Sequence, residues 1–130
     1  MPIDRKVSSD GMFVHTTAYG TVTSRDLISN ARAMLSDSRI QAGFRELFDA
    51  TGVTKIGITK KDLDLVADMD SEHMEKTAGS KCAIVVADSE AFELGKYFEQ
   101  ISRSNYVNII VFNNVATART WLGVSNTIEA

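Results

Sequence analysis

The chain has 130 residues, 44% hydrophobic and 24% charged, with 8 Gly and 1 Pro; this supports one hydrophobic core and excludes disordered, collagenous and low-complexity classes. Lys and Arg number 14 against 17 Asp and Glu, a net charge of -3 without a basic cluster, which argues against nucleic acid as a partner. Cys82 stands alone, no charged-then-apolar leader opens the chain, and no apolar run approaches the ~20 residues that span a bilayer, so a cytoplasmic protein without a membrane span is expected.

The predicted elements begin with a hairpin. Ser9-Asp10-Gly11 stands between Ile3-Arg5-Val7 and Met12-Val14-Thr16-Ala18, and Asp-Gly suits a two-residue turn between antiparallel strands. Leu27, Ile28, Ala31, Met34 and Leu35 then recur at helical steps and predict a helix from about Ser24 to Ser36. Phe44 to Asp49 has strand length and ends at Thr51-Gly52, a turn signal. From Lys60 a second helical pattern places Leu63, Val66, Ala67 and Met74 on one face and stops before Ala78-Gly79.

Cys82 to Ala87 is apolar without alternation and predicts a strand covered on both faces. Asp88-Ser89 caps a helix reaching Arg103, whose stripe is Ala91, Leu94, Gly95, Phe98 and Ile101, and Val107 to Phe112 follows as another buried strand. Asn113-Asn114 caps a final helix with Val115, Ala118, Trp121 and Leu122 inward, ended by Gly123. The expectation is an α/β domain over residues 1–123, with a flexible tail at 124–130. Its single mixed sheet has about five strands, an N-terminal antiparallel hairpin, parallel pairing elsewhere and about four helices. Val22 to Leu27 resembles Ile58 to Leu63, each placing a threonine three residues before an aspartate, a spacing suited to helix capping.

No nucleotide-binding, zinc-protease or serine-hydrolase motif is present. His15 and His73 have no partner at metal-ligand spacing, and Cys82 opens the most apolar strand, where a thiol acts as a small hydrophobe. No cofactor or metal is expected. The segment Asp49 to Thr59 reads as a loop delivering a helix N-terminus with Lys60 and Lys61; it is either a ligand site favouring an anion or a long turn closed by a threonine cap. Asp64, Asp68, Glu72 and Glu75 form an acidic stripe, either a solvated face or a dock for a basic partner.

Four stretches together resemble the SpoIIAA-like family, the STAS-related fold typified by bacterial antagonists of anti-sigma factors. They are Gly20-Thr21-Val22-Thr23-Ser24-Arg25-Asp26-Leu27, the strand ending Leu47-Phe48-Asp49, the strand Cys82 to Ala87, and Ala118-Arg119-Thr120-Trp121-Leu122-Gly123. The likeness spans roughly residues 10 to 123. It implies a mixed sheet with helices, no intrinsic enzyme activity, and a role in binding a partner protein or small ligand. Antagonists of this type carry a phosphorylated serine in an Asp-Ser-Ser-Gly-like stretch after the Leu-x-Asp strand. Here the stretch is Gly57-Ile58-Thr59-Lys60, which leaves Thr59 as the nearest hydroxyl and removes the usual switch.

The resulting expectation is a non-enzymatic regulatory or protein-interaction domain, with a sensor for a nucleotide, an anion or a lipid-like molecule as the alternative. Its binding surface is expected at Thr54, Lys55, Gly57, Ile58, Thr59, Lys60 and Lys61. Phe92 and Tyr97 fall outside the core stripe of their helix, as Leu65 and Met69 do in theirs; unless loops cover them, such aromatics mark a contact surface, and a homodimer with Phe92 and Tyr97 at or near its interface is expected. Trp121 is expected to be largely buried.

Overall fold

A computed structural model describes residues 2–124. One five-stranded sheet has its strands in chain order: β1 (Ile3–Val7), β2 (Phe13–Thr23), β3 (Arg45–Gly57), β4 (Lys81–Val85) and β5 (Asn108–Phe112). β1 pairs antiparallel with β2, and every later pairing is parallel. The helices are α1 (Ser24–Ser36), α2 (Lys60–Ser71), the one-turn α3 (Met74–Thr77), α4 (Ser89–Ile101) and α5 (Val115–Leu122). This is the expected α/β architecture. The tail expected after Gly123 lies outside the described residues apart from Val124.

Because each strand from β2 onward is added on the same side of its predecessor, crossovers of one hand place α1, α2 and α4 on the same face of the sheet. The opposite face is left to α5, which follows β5 and packs back against β4 and β3.

Local chemistry explains the helix boundaries. Thr23 caps α1 and Thr59 caps α2, each in a reciprocal capping box with Asp26 and Asp62 respectively. The two boxes are joined, since the Ser24 hydroxyl donates to Asp62 at 2.6 Å. The Asp88 carboxylate accepts from the Ala91 amide at 2.8 Å to start α4, and Asn114 accepts from Thr117 at 2.9 Å to start α5. Gly123 ends α5 with a φ of 75°, a conformation in which a side chain would be strained.

Three details depart from the sequence reading. The hairpin connection is longer than a two-residue turn: Val7 pairs with Val14, and the Asp10 carboxylate organises the intervening turn by accepting from Ser8 at 2.6 Å and from the Met12 amide at 3.0 Å. Residues Asp49 to Gly57 are strand and not loop. Gly52 pairs with Tyr19 where the register shifts, and a Cβ there would lie 3.2 Å from the Tyr19 Cβ, so this glycine marks a bulge and not a turn.

The second helix breaks after Ser71, where the last turn carries no base to offset its carboxylates, and Met74 is thereby turned out to 37% exposure. Trp121 is largely buried, as expected, and packs against the α5-side core. Ala118 and Leu122 occupy the sheet-facing positions of α5, while the indole lies at its rim, tilted 47° to the Phe112 ring at 5.8 Å and 5.2 Å from the Lys81 ammonium.

At the C-terminus of α1, the Lys76 ammonium donates to the carbonyls of Met34 at 3.3 Å, Leu35 at 3.2 Å and Asp37 at 2.7 Å. It satisfies orphan acceptors at the negative end of the helix dipole. Lys76→Met should therefore cost about 1.5–3 kcal/mol, read as a lowered urea midpoint at unchanged slope; an unmoved midpoint would show that water serves those carbonyls equally well.

Candidate ligand cavity

Alternation along the central strands divides their side chains between two unlike environments. Leu47, Ala83 and Val85 face α5 and are 0% exposed. Phe48 and Ile84 point the other way, beneath three helices, and are only half-buried. Central parallel strands covered on both faces normally bury such residues fully.

The cause lies in how the helices sit. On one side Gly95 brings α4 hard against β5: a Cβ there would meet Val111 Cγ2 at 2.6 Å. On the other side α1 anchors through Met34, which packs with Val14, Ile40 and Phe44. Between them α2 has α1 and α4 as its main neighbours and stands off the strands. The space beneath is a cavity of about 170 Å³, comparable to the apolar void of about 150 Å³ that stays dry and accepts benzene. Its wall is overwhelmingly apolar, with Ala31, Val66, Leu94 and Phe98 from the helices above Phe48 and Ile84.

Two carboxyl groups interrupt this wall, Glu46 from β3 and Asp70 from α2. Glu46 is 6% exposed; it accepts from the Thr16 hydroxyl at 2.6 Å and from the Cys82 thiol at 3.4 Å. Burial raises its pKa, against the lowering effect of those two bonds and of Arg5. Asp70 is pushed up to about 7, by burial first and then by repulsion from Glu46, with His73 opposing. The Cys82 thiol is raised well above its ordinary value by burial and by Glu46, the opposite of what a reactive thiolate needs.

The residues expected to bind from the sequence lie elsewhere, with one exception. Thr54, Lys55 and Gly57 are exposed along the outer half of β3, and Lys60 and Lys61 are exposed in the first turn of α2. The Thr59 hydroxyl is held in the capping box, 3.1 Å from Asp62. Ile58 alone of this set lines the cavity. Phe92 is 38% exposed, whereas Tyr97 joins α4 to α2, its hydroxyl donating to Asp64 and its ring lying 5.2 Å from the Lys60 ammonium. His15 is on the α5 face near Phe13, its pKa lowered by burial and then by Arg119. Among the described residues no cluster of His, Cys, Asp or Glu could hold a metal, and no helix is long and apolar enough to cross a membrane.

Glu46 and Asp70 were legible but unread. In Phe44-Arg45-Glu46-Leu47-Phe48 the carboxylate shares its face with two phenylalanines, and Asp70 continues the Leu63–Val66–Ala67 stripe rather than the acidic one.

No protein-family model and no curated protein matches the sequence. Among solved structures, an uncharacterized protein of the DUF3478 family from Shewanella loihica PV-4, described as having a SpoIIAA-like fold, aligns with 92% of this chain. The alignment covers 91% of that protein at 16% identity, with a TM-score of 0.57. The fold is SpoIIAA-like. Within it, Thr59 is occupied with capping α2.

Because Asp70 titrates near 7 when folded and near 3.8 when exposed, the folded state holds the extra proton between those values. Stability should accordingly fall as pH rises from about 4 to about 7. Asp37, held near 2 chiefly by Arg39, loses its contribution only below that window. Asp70→Asn should flatten the decline and raise the melting temperature at pH 8 relative to wild type; parallel stability profiles for the two proteins would show that Asp70 stays solvated.

Proposed function

We propose that this SpoIIAA-like domain is a non-enzymatic regulatory module that binds an apolar small molecule between its sheet and its helix layer. The observation that carries this reading is the half-burial of Phe48 and Ile84 at the centre of the sheet. Sealed and empty, a void of 170 Å³ would forgo at most about 4 kcal/mol at about 24 cal/mol per Å³, against the roughly 5–15 kcal/mol that stabilises a domain. An apolar ligand recovers that loss by supplying the missing contacts.

Binding rather than catalysis is supported by the burial of Cys82 and Glu46, which raises the pKa of both and leaves neither open to solvent as a nucleophile or base. Regulation would act through α2, which rests on α1 and α4 and presents Lys60 and Lys61 to a protein partner. A ligand that lifts or lowers this helix changes the surface the partner meets.

The test is titration with 4-(dimethylamino)benzonitrile, a neutral one-ring dye without hydrogen-bond donors whose charge-transfer fluorescence rises on leaving water. The wild type should bind it and melt at a higher temperature in its presence, by the equivalent of about 2.7 kcal/mol at a hundredfold excess over the dissociation constant. Ala31→Phe, which fills the cavity from α1, should keep the fold and lose most of the binding. Dye binding unchanged in Ala31→Phe, or absent from the wild type, would remove this reading.

A further inference from the structure

The two carboxyl groups carry the argument from an apolar ligand to its chemical class. We propose that the cavity selects an apolar molecule with one hydrogen-bond-donating head, a hydroxyl or an amine, and rejects a carboxylate on the same chain. This rests on the cavity being a ligand site, and adds what the ligand must present there.

Glu46 lies on the strand side of the cavity and Asp70 on the helix side, so the two acids approach one space from opposite layers. Each carboxylate oxygen can accept more than one hydrogen bond. The Glu46 oxygens each take a single bond, from Thr16 and from Cys82. None of the described residues donates to the Asp70 carboxylate, and its close electrostatic neighbours are Glu46 and His73. The cavity is thus short of donors where its acceptors lie.

No Lys, Arg or His lines the wall, and its other polar members, Asn30, Thr77, Ser80 and Cys82, are neutral. The Thr77 hydroxyl is already committed to the carbonyls of Asp70 and His73, at 2.9 and 3.2 Å. An incoming carboxylate would meet two acids in the wall, with Arg5, held by Asn30 at 2.7 Å behind that wall, and His73 as the only opposing groups in electrostatic reach of them; in a low-dielectric space like charges repel and a desolvated anion has little to replace its water. A hydroxyl or ammonium would instead satisfy Asp70 and relieve the repulsion. Sites built to hydrogen-bond a substrate group discriminate sharply against analogues that lack it.

The experiment displaces the same bound dye at about pH 8 with n-octanol, octylamine and octanoate, in the wild type, Asp70→Asn and Glu46→Gln, each checked for folding by circular dichroism. In the wild type n-octanol and octylamine should displace the dye with affinities at least tenfold above that of octanoate. Asp70→Asn, which removes a charge without changing shape, should narrow the gap to less than about threefold; Glu46→Gln should act in the same direction where it folds. Octanoate binding as well as n-octanol, or a gap unchanged in Asp70→Asn, would overturn the selectivity while leaving the cavity a ligand site. Dye that binds but yields to none of the three also overturns it. Failure of the dye itself to bind would remove both readings together.

Discussion

The helix layer meets the sheet at its sides and not at its centre, and most of what is unusual in this protein follows from that spacing. Gly95 lets α4 settle onto β5, and Met34 ties α1 to the Val14 side of the sheet. α2 is then suspended between them. Two layers that closed fully would bury Phe48 and Ile84 and shut Asp70 away beside the already buried Glu46, where a second ionised carboxylate is among the costliest things a fold can hold. The open centre moderates that cost, leaving Asp70 a space that a donor could enter.

A layer that does not rest on the sheet needs lateral support, and here the support is polar. Ser24 reaches Asp62 to join the starts of α1 and α2, Lys76 clamps the end of α1, and Tyr97 links α4 to Asp64. Asn105 donates to the Ala67 carbonyl at 3.0 Å and fastens the turn after α4 to α2. These bonds lie mostly at the ends of the helices. Directional bonds of this kind hold a separation that apolar contact alone would close, because hydrophobic attraction has no preferred geometry.

How much of this was legible in the sequence depends on the range of the interaction concerned. The capping threonines, the two boxes and the boundaries of α1 and α4 are written within a few residues, and the sequence reading places them well. Gly52 was misread because a glycine after Thr51 signals a turn when only its neighbours are known; its pairing with Tyr19 across the sheet makes it a bulge. The break before Met74 escaped a reading based on apolar spacing because its cause is charge at the helix end. The cavity is the least legible feature. Ala31, Ala91 and Gly95 can be seen as small residues, but the distance between two layers is set by contacts among elements far apart in the chain, and no periodicity records it. Ile58 entered the expected site for its place beside the α2 cap, and lines the cavity for a different reason.

The two faces of the sheet divide the work between stability and binding. On the α5 side Leu47, Ala83, Val85, Ala118 and Leu122 are at most 1% exposed, the dense packing that resists change by even one methylene. That face needs only an eight-residue helix, since Ala118 allows close approach and Leu122 fills what remains. With the strands fixed from that side, the opposite face can tolerate a void and a titrating carboxyl without threatening the fold. β3 is the element that serves both, alternating Leu47 into the dense core and Glu46 and Phe48 into the cavity. Ligand binding therefore adds contacts to a sheet whose geometry is already set, and the parts free to respond are the three helices above it.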